Sequence, residues 1–212
     1  MIMFLCKSLR EIRDRTNHRL VLLTVNRLLE YTGIEISLYY LTREVRAEGL
    51  GLSLEPEITL SGGFLSPEEV RKLYQHPEIK KLGAEADRWL AEGCLCFACK
   101  HKEEVIAYSW CDLQRCNSRY VSFPLQPDEA YLFRARTFQG YRGRNLAPYL
   151  RYELYKSLDR LGRSRFYSIT EYLNASAIAF KNKLKARPVK LCLYLGFFGH
   201  RAANLTLKRY PA

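Results

Sequence analysis

The chain has 212 residues, 48% of them hydrophobic and 26% charged, which fits one globular domain, with or without an appendage. Thirty-four Lys and Arg against 22 Asp and Glu leave a formal charge of +12, which suits an anionic partner: a polyphosphorylated cofactor, an acidic carrier protein, a membrane surface or nucleic acid. No apolar run approaches bilayer length, Met1–Cys6 lacks the form of a signal peptide, and seven irregularly spaced cysteines make no secreted disulfide framework, so a cytoplasmic protein is expected.

Leu9–Leu29 reads as an amphipathic helix, with Leu9, Ile12, Leu20, Leu23 and Leu28 apolar and five arginines among the polar positions. Its basic face fits a packing helix with solvated arginines, or docking on a membrane surface. Ile34–Leu38 alternates and runs on into Tyr39-Tyr40-Leu41, a strand. Two glycines and a proline between Glu48 and Pro56 mark a weak boundary. Residues 1–55 are therefore expected to form an N-terminal appendage, and residues 56–212 the main domain.

From there β and α elements alternate. Ile58–Leu60 is a short strand. Ser66-Pro67-Glu68-Glu69 is a helix start, with Ser66 as cap and Glu69 at the capping-box position. Ala84–Ala91 is helical, and Cys94–Cys99 and Val105–Cys111 are strands around a charged turn. Ala130–Phe138 is another strand, with Tyr131, Phe133, Ala135 and Thr137 expected on one face. Leu146, Leu150, Leu154 and Leu158 stripe a helix that Leu161 closes and Gly162 ends. Phe166–Thr170 is a strand, Asn174 caps a helix to about Leu184, and Val189–Leu195 with Ala203–Lys208 make a closing hairpin.

Two groups of residues could carry chemistry. Cys94, Cys96 and Cys99, with Cys111 and Cys116, invite a metal reading. Strand alternation puts Cys94 and Cys96 on one face and Cys99 on the other, so buried reduced thiols and no metal are expected. The second group is Arg142-Gly143-Arg144-Asn145-Leu146-Ala147, between a strand and the leucine-striped helix. A turn that opens a helix presents unpaired N–H groups and the positive end of the helix dipole, and glycine lets a phosphate approach the backbone. The plain alternative is an ordinary β–α turn with solvated arginines.

This segment resembles the cofactor motif of the GCN5-related N-acetyltransferases (GNATs), Gln/Arg-x-x-Gly-x-Gly/Ala. Arg142 and Ala147 match it, Tyr141-Arg142-Gly143 matches the preceding positions, and Asn145 replaces the usual glycine. Asn174-Ala-Ser176 followed by Lys183-Leu184 resembles a second block of that family, with Lys185-Ala186 in place of its Gly-Phe. The resemblance runs from about Ile58 to Tyr210. It implies an α/β (α+β) fold: a mixed, mostly antiparallel sheet with splayed central strands, flanked by helices.

The splayed strands would be Ala130–Phe138 and Phe166–Thr170. The resemblance further implies acetyl-CoA or another acyl-CoA as co-substrate and an amine acceptor. The pyrophosphate would lie on the amides of Gly143, Arg144, Asn145, Leu146 and Ala147, beside Arg142. The backbone of Phe138 and Gln139 would lie near the thioester, and Asn174 and Ser176 on the cofactor arm. Direct transfer needs a base, for which Glu171 is the first candidate and Glu129 the second; the plain alternative for each is a solvated carboxylate at a strand end. Lys181 stands where many members carry an acidic tyrosine, and its charge predicts an exposed or phosphate-facing pose. Tyr172 is the third candidate catalytic residue, and Tyr167 is another nearby phenol. The four histidines show no ligand-like or triad-like spacing.

Two other readings remain at this level. The same fold could use an acyl carrier protein or a lipid-linked acceptor, which the basic surface and N-terminal arm favour. Alternatively, the departures at Asn145, Lys181 and Lys185 suit a non-catalytic, nucleic-acid-binding or regulatory scaffold, although the basic residues are spread along the chain and form no single stripe. Oligomeric state is left open.

Overall fold

The computed structural model describes residues 29, 31–44 and 60–211. The helix expected over Leu9–Leu29, its last residue apart, the boundary at Glu48–Pro56 and the strand start at Ile58 lie outside the described residues. The strands are β1 (Ile34–Glu44), β2 (Ser61–Phe64), β3 (Leu95–His101), β4 (Glu104–Asp112), β5 (Arg115–Asn117), β6 (Ser122–Pro124), β7 (Glu129–Thr137), β8 (Arg165–Glu171), β9 (Arg187–Phe197) and β10 (His200–Arg209). The helices are α1 (Pro67–Leu73), α2 (Gly83–Ala91), α3 (Leu146–Asp159) and α4 (Ala175–Lys183).

Eight strands form one sheet in the order β10-β9-β1-β8-β7-β4-β3-β2, and β5 and β6 form a separate hairpin. Every pair in the large sheet is antiparallel except β7 with β8. The fold is therefore the expected one, a mixed and mostly antiparallel sheet flanked by helices. No helix among the described residues is long and apolar enough to cross a membrane.

Local chemistry accounts for several elements. Ser66 accepts the Glu69 N–H at 3.2 Å, and the Glu69 carboxylate accepts the Ser66 N–H at 2.8 Å, the reciprocal capping box that starts α1. In α3 the four-residue leucine stripe is buried, with Leu146, Leu150, Leu154 and Leu158 packed on the sheet beside Phe97, Ala130 and Phe166. Leu161 does not close that stripe. The helix ends at Asp159 and Leu161 is 50% exposed, because Gly162 at φ 75° turns the chain away. On the other face of the sheet Val70, Ile79, Trp89, Tyr108 and Trp110 form a second core under α1 and α2. Cys94 and Cys96 belong to this core and Cys99 to the first, as strand alternation requires.

Two placements depart from the sequence-based expectation. β1 falls within residues 1–55 yet is an interior strand, hydrogen bonded to β8 on one side and β9 on the other. A strand with both edges paired belongs to the sheet, so a boundary at residue 55 does not separate this segment from the rest. In β7, Tyr131, Phe133, Ala135 and Thr137 do not share one face. Phe133 pairs with Trp110 and Arg136 with Tyr108, so three steps on β7 oppose two on β4, and Arg134 sits at φ 50° between them. This bulge inserts one residue and switches the alternation, leaving Arg136 rather than Ala135 on the face of Phe133.

Candidate active site

The bulge sets up the site. β7 and β8 pair only at Glu129↔Arg165, Ala130↔Phe166 and Tyr131↔Tyr167. Beyond these residues β7 remains on β4 and β8 on β1, but the two no longer bond each other. A β-bulge sharpens local twist, and Arg134 stands just where the strands part. The result is a fork in the middle of the sheet, with free backbone donors and acceptors along its inner edges.

A cavity of about 700 Å³ fills the fork. Tyr131, Phe133 and Arg134 of β7 form one wall, Ile169, Thr170 and Glu171 of β8 another. Trp89 of α2, Asn174 at the start of α4 and Tyr120 of the β5–β6 hairpin complete it. Of the acids on the wall, Glu85 is paired with Arg134 at 2.8 Å and Glu92 lies 3.9 Å from Arg88. Asp112 accepts the N–H groups of Gln114 and Arg115 at 2.7 and 3.0 Å, which shapes the turn after β4. Glu171 is engaged in neither way. Its Oε1 accepts the Tyr120 hydroxyl at 2.6 Å, and no ion pair holds it among the described residues.

The two other candidate groups lie elsewhere. Glu129 is at the closed end of the fork, buried, accepting the Gln126 N–H at 2.9 Å and the Tyr167 hydroxyl at 3.2 Å, with Arg165 at 3.4 Å. Tyr172 follows Glu171 but does not line the cavity; its ring lies 5.7 Å from that of Tyr40.

The turn after β7 is left-handed at two positions. Gly143 is at φ 85°, where a Cβ would meet nothing within 4 Å, and Asn145 is left-handed at φ 56°, ψ 21°. The first helical bond of α3 runs from the Tyr149 N–H to the Asn145 carbonyl at 3.4 Å. The amides of Leu146 and Ala147 precede it, and Pro148 has no N–H to satisfy. Lys183 donates to Asn145 Oδ1 at 2.7 Å, tying the end of α4 to this turn. Asn174 caps α4 by accepting the Ala177 N–H, and Ser176 donates to the same Asn174 oxygen, both at 3.0 Å. Arg144 points over the Tyr141 ring at 6.0 Å, and Arg142 Nε donates to the Thr137 carbonyl at 3.2 Å. The residues expected near a thioester are engaged within the chain: the Phe138 N–H bonds the Ile106 carbonyl and the Gln139 N–H bonds the Glu78 carboxylate, each at 3.0 Å. Glu78 also faces Arg136 at 3.0 Å. The Gln139 amide and then the Arg136 guanidinium hold its carboxyl below the ordinary range.

Lys181 departs from the expected exposed or phosphate-facing pose. It is 6% exposed, with its ammonium 3.8 Å from the carboxylate of Glu44, which β1 delivers fully buried. Arg151 of α3 lies 3.5 Å from the same carboxylate, and Tyr155 and Ser168 donate to it. Sequence reasoning missed Glu44 and Arg151 because their partners come from three distant segments. Burial would raise the Glu44 carboxyl, but Arg151, Lys181 and the two hydroxyl donors outweigh it and hold it low. Burial pushes Lys181 down to about 8 against a free value of 10.5, with Glu44 opposing.

The folded state therefore binds fewer protons than the unfolded state between about pH 8 and 10.5, and charged Lys181 costs stability below that window. Lys181→Met is expected to be more stable than wild type at pH 7, on the order of 1 kcal/mol, by urea unfolding. The difference should shrink as pH rises from 8 towards 10. Buried thiols such as Cys99 and Cys111, pushed up to about 12 by burial, act alike in both proteins and cancel in the difference. A pH-independent difference would refute the buried-ammonium assignment.

No group of three or more His, Cys, Asp or Glu among the described residues is placed to hold a metal ion. No family model matches the chain, and no curated protein does. Solved structures do. A GCN5-related glucosamine N-acetyltransferase region of a fungal multi-domain β-N-acetylglucosaminidase superposes with TM-score 0.57 at 12% identity, over 82% of this chain and 22% of that one. A tandem GNAT protein of clavulanic acid biosynthesis gives 0.54 at 12%, over 83% and 55%. A GNAT-family acetyltransferase from Colwellia psychrerythraea gives 0.53 at 16%, over 77% and 57%. This chain has the GNAT fold. It spans less than two thirds of the length of each of these structures. The parallel pair β7 and β8 stands where the GNAT resemblance puts the splayed central strands, with the turn before α3 following β7 and α4 following β8.

Proposed function

We propose that this chain is an acyl-CoA-dependent N-acyltransferase, moving an acyl group, acetyl in the simplest case, from the CoA thioester directly to an amine. The observation that carries the reading is the fork between β7 and β8, whose cavity is lined by a Glu171 carboxylate that one hydroxyl holds and no ion pair does among the described residues, while an open helix-start turn follows β7. The turn fits a pyrophosphate: the space over Gly143 is open, and the amides of Leu146 and Ala147 head a helix. Arg142 and Arg144 add charge beside it, and Asn174 and Ser176 at the start of α4 border the cofactor arm. The bound thioester supplies an activated acyl carbon. Glu171 takes the proton that the acceptor amine must lose as its nitrogen attacks the acyl carbon, the C–S bond breaks and CoA leaves as a thiolate that solvent protonates, and Trp89, Tyr131 and Phe133 give the acceptor an aromatic wall. Glu129, held at the closed end, is a structural residue in this reading.

The test is calorimetric titration with acetyl-CoA and with CoA. A side chain at position 143 would hold phosphate away from the amides, so Gly143→Val should weaken binding at least about tenfold, or 1.4 kcal/mol. The new Cβ has no protein atom beyond its chain neighbours within 4 Å, and the left-handed backbone costs the fold about 1–2 kcal/mol. Wild type without measurable affinity would overturn the reading. Unchanged affinity in Gly143→Val would move the phosphate site elsewhere.

A further inference from the structure

Tyr120 belongs to no motif, yet it is a buried and many-bonded side chain on the cavity wall. It sits in the turn between β5 and β6, where Ser118 Oγ accepts the N–H groups of Tyr120 and Val121 at 3.2 and 3.0 Å. Its ring stacks on Tyr39 of β1 at 4.7 Å and 11°, and meets the edge of Tyr194 of β9 at 5.3 Å. Asn204 of β10 donates to its carbonyl at 2.8 Å and to the Tyr39 hydroxyl at 2.9 Å. Ser37 donates to its hydroxyl at 3.2 Å, and that hydroxyl donates to Glu171 Oε1 at 2.6 Å. Three strands and a hairpin thus converge to aim one phenol at one carboxylate.

We propose that Tyr120 is a positioning residue for the base: it fixes the Glu171 carboxylate at the edge of the fork and acts on the reaction through it. This rests on the acyltransferase reading above. A carboxylate at a strand end is free to change rotamer, and ordering it costs part of what a good geometry gains. A hydrogen bond to a charged group contributes enough to select one rotamer. It commits Oε1 and leaves Oε2, which has no hydrogen-bond partner among the described residues, to receive the proton of the amine. Burial, and then the bond to Glu171, push the Tyr120 phenol above its ordinary range, so it remains a donor at neutral pH.

Tyr120→Phe keeps the stacked ring and removes the donor. With acetyl-CoA and a panel of primary amines (spermidine, tyramine and lysine), followed by thiol release, it should lower kcat at least about tenfold, the scale of one such hydrogen bond. Affinity for acetyl-CoA should stay at the wild-type value, and the melting temperature should fall by only the few degrees, about 2–8 °C, that one lost hydrogen bond costs. Added to Glu171→Gln it should cost nothing further, since the two act as one unit. The Glu171 carboxyl resonance, in ¹³C-glutamate-labelled protein and assigned with Glu171→Gln, should move in Tyr120→Phe. Wild-type kcat in Tyr120→Phe, an additive loss in the double variant, or an unmoved resonance would overturn the assignment. Absence of acetyl-CoA affinity in the wild type would instead overturn the acyltransferase reading, while the resonance reports on the Tyr120–Glu171 pair separately.

Discussion

Glu44→Gln is expected to lower stability by about 3–5 kcal/mol, the usual effect of leaving buried charge unpaired. Among the described residues, Glu44 is the carboxylate that lies within 4 Å of both Arg151 and Lys181, which are 3% and 6% exposed. With it gone, two cations remain in the interior between α3, α4 and the sheet. Arg151 cannot shed its charge, so the relief available is loss of the Lys181 proton. For a chain of this size the loss corresponds to a melting temperature about 6–20 °C lower. Because Glu44 is held below its ordinary pKa, its contribution is complete at neutral pH and is lost only as pH falls through the depressed value. The measurement is urea unfolding at pH 7 of Glu44→Gln and of Glu44→Gln/Lys181→Met. The double variant should recover part of the loss, since it removes one of the stranded cations. A loss below about 1 kcal/mol, or no recovery, would mean that the cluster is not organised around Glu44.

The second large effect is on turnover. Glu171→Gln should lower kcat by about a hundredfold or more, the lower end of what a positioned base contributes, with little change in acetyl-CoA affinity or melting temperature. Glu129→Gln should do the opposite. Its carboxylate accepts from Gln126 and Tyr167 and faces Arg165 at the closed end of the fork, so the loss should appear as stability. Comparing the two variants by steady-state kinetics and thermal melting separates the candidates. A kcat loss confined to Glu129→Gln would reverse the assignment, and a loss in neither would place the base outside β7 and β8.

What the sequence determined is what short-range chemistry determines. The capping box at Ser66 and Glu69, the leucine stripe of α3 and the left-handed turn at Asn145 each depend on residues within a few positions. Their order along the chain was enough to point to the GNAT fold. The tertiary structure decided everything that depends on long-range pairing. Periodicity says that Ile34–Leu41 is a strand but not that it enters the sheet between β8 and β9, which follow it far along the chain. It assigns one face to β7 because the bulge at Arg134 is set by pairing against β4, not by a local signal. β5 and β6, three residues each, are too short to show a period, so the hairpin carrying Tyr120 was invisible. A lysine on a helix is normally solvated, and only the arrival of Glu44 from β1 makes burial of Lys181 tolerable. The sequence supplied the turn and the candidate base as separate pieces; the splay of β7 from β8 is what opens a cavity between the two strands, with that base on its wall.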